Sequence, residues 1–321
     1  LERLKIVFIA LLFLCATSFH GVQDVATSLS KISHQDQQYL DQFFQYLLRT
    51  SPMGYTLFGN KPISLFEYPD LKSSVNCDLR LSLCMERGWK TWMRYRTLFS
   101  SKDFVLKKEK DTGAFHTNTV ILINKTQVLA AISRNLDLFI SKFGQEFQPE
   151  GFLKQICDTD EPLFDFLKEE DVIGILLGFG RTNGVLFNRE REIAGYLQTQ
   201  LIPPFSCLKE INRLSAKTQK YVKLHSKREL SKRVSASSSF RSLAEEFNAI
   251  INKRGSFQMP GDDKFLHLMG SPQFVDYGED SALVDSYIKT RRIMRKAYRL
   301  APFLEATLTQ WTNPQISREI K

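Results

Sequence analysis

Apolar residues recur at helical spacing over Leu40, Phe43, Phe44, Leu47 and Leu48, which predicts an amphipathic helix from about Asp36 to Arg49. Ser51-Pro52 and Gly54 stop it, because proline continues no hydrogen-bond ladder. Tyr55 to Phe58 is aromatic and β-branched, Gly59-Asn60 suits a tight turn, and Ile63 to Tyr68 reads as a return strand. Pro62 places that return strand at an edge or starts it. A second helix is predicted from Leu79 to Phe99, with Trp89, Trp92 and Met93 on one side as core. Phe104 to Lys110 and Ala114 to Asn124 then pair as antiparallel strands across Asp111-Thr112-Gly113. The two hairpins together predict a four-stranded antiparallel sheet.

Helices dominate the second half. Asn124 or Thr126 caps one through about Phe143, and Gly144 ends it. Phe152 to Cys157 and Leu163 to Leu167 read as short helices around an acidic turn, Asp158 to Glu161, too short for a calcium loop. Asp171 to Arg181 is apolar and glycine-spaced, a buried helix that another element can approach, ending in a turn at Arg181-Thr182-Asn183-Gly184. Further helices are predicted from about Glu190 to Leu201, from Phe240 to Asn252 and from Asp280 or Ser281 to Tyr298, with a short helical tail to Trp311. Gly255 to Asp280 reads as a long loop with a possible strand at Phe265 to Met269. The fold class expected is α+β: a small antiparallel sheet packed against a mainly helical body. Residues 34–321 form one domain, with a helical sub-domain possible from about residue 150, behind a polar linker at 19–33.

The N-terminus changes the picture of where this domain works. Arg3 and Lys5 precede the apolar run Ile6 to Leu14, and Ala16-Thr17-Ser18 follows. That is the layout of a secretory signal peptide covering residues 1–18, so the protein is expected to be exported, periplasmic or secreted. An uncleaved anchor is the alternative, although the run is short for a membrane span. Beyond the leader, Cys77, Cys84, Cys157 and Cys207 allow two disulfides in three connectivities, or buried free thiols. Their spacings are too wide for paired zinc ligands. No metal or cofactor is implied.

Charge points to partners. Among 321 residues, 44 Lys and Arg oppose 35 Asp and Glu, for a net charge of +9, which favours anionic surfaces. Lys209 to Arg233 is the most basic stretch, and Arg213, Lys217 and Lys220 fall on one face beside an apolar stripe. Such a helix contacts an acidic protein or anionic lipid; nucleic acid is not expected for an exported chain. The last helix is basic as well, through Lys289, Arg291, Arg292, Arg295 and Lys296. Asn60 and Lys61 could hold a ligand in their loop, and Arg181 and Asn183 could line a polar pocket. Adding His267 gives the alternative of a hydrolase, but no nucleophile motif stands beside it. A membrane-anchored structural protein is the third possibility. A non-enzymatic binding protein that uses basic helices fits the pattern best.

The stretches LLRTSPMGYTLFGNKPIS, DVIGILLGFGRTN and SALVDSYIKTRR resemble segments of exported proteins from chlamydia-like intracellular bacteria. The resemblance spans most of the chain after the leader. It implies a compartment and a lineage-restricted role, and no reaction.

Overall fold

A computed structural model describes residues 24–71, 79–110, 117–159, 161–201, 240–257, 272–278 and 281–314, together with residues 259 and 270. The first element is α1 (Val25–Leu29), where the Asp24 carboxylate accepts from the Ala26 N–H at 3.1 Å. A polar linker was expected here, but Val25 and Ile32 are buried in the core, so the segment is docked. α2 (His34–Thr50) starts at Ser33, whose hydroxyl accepts from the Asp36 N–H at 3.1 Å. Its predicted stripe, from Leu40 to Leu48, is buried throughout.

Tyr55 to Phe58 is not a strand. It lies in α3 (Met53–Phe58), all six residues of which are buried. A short apolar run has no polar face to reveal its period, so strand and buried helix look alike in sequence. Ser51 settles the start locally: its hydroxyl donates to the Leu47 carbonyl at 2.6 Å and accepts from the Met53 N–H at 3.3 Å. Gly59 does not take the positive φ of a tight Gly-Asn turn either, since its φ is −137°. A Cβ there would lie 2.3 Å from the Thr290 hydroxyl, so glycine is needed for close approach.

β1 (Ile63–Pro69), α4 (Leu79–Tyr95), a 3-10 turn (Arg96–Phe99), β2 (Phe104–Lys110) and β3 (Thr117–Asn124) follow. The three strands form one antiparallel sheet in the order β1-β3-β2, with Ile63 opposite Ile123 and Phe104 opposite Asn124. It has one strand fewer than expected, because α3 took the place of the fourth. β3 is central, and its run Val120-Ile121-Leu122-Ile123 serves both faces. Val120 and Leu122 join one core, Ile121 and Ile123 the other.

Covering the second face are α5 (Lys125–Arg134), α6 (Leu136–Phe143), α7 (Pro149–Asp158), α8 (Leu163–Leu167) and α9 (Glu170–Leu176). Asn124 caps α5, its side-chain oxygen accepting from the Gln127 N–H at 3.1 Å. α10 (Arg181–Leu201) crosses α9 where two glycines meet: a Cβ on Gly174 would lie 2.9 Å from the Gly184 Cα. The turn expected at Arg181 to Gly184 is instead the first turn of α10. The reversal is made just before it, by Gly178 and Gly180 with φ of 74° and 86°.

α11 (Phe240–Lys253) and the two-residue strands β4 (Gly255–Ser256) and β5 (Val275–Asp276) pack on α10 through Ile193, Phe247, Ile251 and Tyr277. Beneath them the fully buried Glu190 accepts from Arg254 at 2.7 Å and from the Tyr277 hydroxyl at 2.7 Å. α12 (Ser281–Leu300) and α13 (Phe303–Thr312) return to the first core beside α2, α3 and α4. There Trp311 donates to the Phe99 carbonyl at 2.7 Å, stacks on Phe104 and meets Trp92 edge-on. The architecture is α+β: helix layers on both faces of a small antiparallel sheet. Among the described residues no helix is long and apolar enough to cross a membrane.

Candidate functional site

Lys61 and Asn60 leave α3 in opposite directions. Lys61 turns inward and is 2% exposed. Its ammonium donates to the Leu177 carbonyl and sits 4.9 Å from the Phe179 ring centroid. The Tyr287 hydroxyl donates to the next carbonyl, that of Gly178. The two side chains thus hold the unwound carbonyls between α9 and α10, which no helix satisfies. Burial removes water from the amine and pulls its pKa down to about 7. This lysine braces the interior and offers no surface to a ligand in solution.

Arg181 and Asn183 are likewise parted. Arg181 reaches outward and grips Asp137 with two bonds of 2.7 and 2.6 Å, which hold the Asp137 carboxyl down at about 2. Asn183 is buried; it donates to the Phe179 carbonyl at 2.9 Å and accepts from the Tyr277 N–H at 3.0 Å. It pins β5 to the start of α10. The expected polar pocket with both residues on its wall does not form. Arg181 and Asn60 do come together, on a pocket of about 380 Å³ that Arg134, Gly180 and Tyr287 also line.

A larger groove, about 660 Å³, runs along α12. Its floor is apolar, made by Leu57, Phe58, Phe104 and Ile293. Lys289, Arg292 and Lys296 stand along one wall, all exposed, with Asp285 as the acid of the lining among the described residues. Their i, i+3, i+7 spacing puts them in one row, because residues three and four apart share a helix face. The opposite face of α12 is anchored by buried Tyr287, Thr290 and Met294. Lys289 and Arg292 have no carboxylate partner among the described residues. The far rim carries the amides of Asn60 and Gln127. Asn60 makes a long bond of 3.4 Å to the Ser286 hydroxyl. The two cavities share Asn60, Ala282 and Ser286 in their linings, so they adjoin.

The basic character of α12 was legible from sequence, but its role was not. What separates Lys289, Arg292 and Lys296 from Arg291 and Arg295 is the phase of the helix against Gly59, a tertiary fact. Arg213, Lys217, Lys220, His267, Cys77 and Cys207 lie outside the described residues. Cys84 and Cys157 are free thiols. Among the described residues no cluster of His, Cys, Asp and Glu could hold a metal ion. No protein-family model, curated protein or solved structure matches the chain, so what the groove takes up is inferred from its own chemistry.

Proposed function

We propose that this chain is a binding protein that works beyond the cytoplasmic membrane and takes up an anionic partner through the groove along α12. One observation carries the reading: Lys289, Arg292 and Lys296 line one wall of a 660 Å³ groove in which Asp285 is the acid among the described residues. Cations held in a row beside an apolar floor attract anions from a distance and keep those that also bury apolar surface. The leader at residues 1–18 supports the location. Three of the other polar groups singled out in the sequence are engaged within the protein: Lys61 braces the α9–α10 junction, Arg181 grips Asp137, and Asn183 holds β5.

The test is salt elution from a polyglutamate column. The variant Lys289→Glu/Arg292→Glu/Lys296→Glu should elute at clearly lower salt than the native protein. The control Lys31→Glu/Lys90→Glu/Arg96→Glu alters net charge equally at exposed positions away from the groove, and should elute later than the groove variant. Coincident elution of the two variants overturns the reading, because net charge alone would then explain retention.

A further inference from the structure

We propose that the groove's ligand is an extended acidic segment of another protein, with acidic and apolar residues in alternation, laid along α12. The inference rests on the function proposed above and names the partner's chemistry. Three features carry it.

The first is the shape of the charge. Lys289 and Lys296 are seven residues apart, so the cations spread over about 10 Å of helix axis. A lone phosphate or carboxylate would be met by converging donors, whereas these form a line. An extended peptide presents same-side residues about 7 Å apart, which the flexible lysine and arginine stems can match.

The second is the floor. An extended chain points alternate side chains to opposite sides. Acidic residues turned toward Lys289, Arg292 and Lys296 leave their neighbours facing Phe58, Phe104 and Ile293. A flat lipid surface would meet the cations but would not enter the groove. The rim amide of Gln127, which makes no side-chain hydrogen bond among the described residues, can bond a peptide backbone.

The third is length. The groove adjoins, at Asn60 and Ser286, the pocket that Arg134 and Arg181 line. An extended segment leaving the groove at that end meets these further cations, which a compact anion does not need.

Fluorescence anisotropy with the full chain tests this, using a labelled peptide of five Glu-Leu repeats, the same peptide with Ser for Leu, inorganic tripolyphosphate as competitor, and vesicles of anionic phospholipid. The Glu-Leu peptide should bind, and the Lys289→Glu/Arg292→Glu/Lys296→Glu variant should weaken it roughly tenfold or more. The Glu-Ser peptide should bind severalfold more weakly. Equal affinity for the two peptides overturns the role of the floor, and with it the inference. Displacement by tripolyphosphate at concentrations equal to the peptide's overturns it as well. Binding to vesicles without binding to the peptide overturns the inference; it keeps the function proposed above if the Lys289→Glu/Arg292→Glu/Lys296→Glu variant loses it, and overturns that function too if the variant retains it. Binding to neither overturns both. Circular dichroism of the variant shows that it folds, and Ile293→Ser supplies a second variant that weakens the Glu-Leu peptide while keeping every cation.

Discussion

Replacing Lys61 by methionine tests the interior of this fold through its pH dependence. The amine has an ordinary value of 10.5, and burial lowers it to about 7 in the native chain. Below pH 7 both the native and the unfolded chain carry the proton, and the native state bears the full cost of a buried ammonium. At 1.36 kcal/mol for each pH unit between 7 and 10.5, that cost is about 5 kcal/mol. Between those limits the unfolded chain binds more protons than the native one, so stability rises with pH. Above 10.5 both are neutral and the cost has gone. Lys61→Met removes the titration and leaves the Leu177 carbonyl without its donor, a loss of about 1–3 kcal/mol that does not depend on pH. Urea unfolding at pH 7.5 and 9.5 reads the difference. The native protein should gain about 2.5 kcal/mol on the variant over that interval. A difference that stays constant with pH would mean that the Lys61 amine reaches water, and the bracing role would be wrong.

Further outcomes follow from close contacts. Gly59→Ala should lower stability by about 1–3 kcal/mol in urea, since its Cβ would press on Thr290, and Thr290→Ala added to it should recover part of the loss. Glu190→Gln should cost about 3 kcal/mol by thermal melting, because Arg254 and Tyr277 lose a buried carboxylate. Arg181→Ala should lower the urea midpoint only slightly at pH 7, since its partner is exposed, and not at all near pH 2, while the Asp137 carboxyl moves up from about 2 toward the usual range in an NMR titration.

How far the fold shows in the sequence depends on whether an element has a polar side. α2 does, and its stripe from Leu40 to Leu48 is buried as the spacing predicts. Asn124 and Gly144 bound their helices by local capping chemistry that sequence alone carries. α3 has no polar side, so its aromatic residues read as strand. The start of α10 is hidden in the sequence because Gly184 looks like a turn residue. Its true reason is the Asp171 carbonyl, 2.8 Å from where a Cβ would sit, and that requires knowing what crosses there. Lys61 shows the same limit for the site. A lysine after Gly-Asn reads as a loop cation, and nothing nearby in sequence announces that residues 177–179 will enclose it. The groove lay beyond reach for a related reason. Its walls come from residues 57–60, 104, 124–127 and 282–314, and only packing brings them together.

The placement of Trp311 bears on how this molecule is made. Its ring fills the space between Trp92 and Phe104, and Gln310 beside it donates to the Leu57 carbonyl at 2.9 Å. The first layer of helices therefore has a hole in it until residue 311 has been added and has folded back. A chain threaded end-on through a narrow channel would stay unlatched during passage and shut only on the far side.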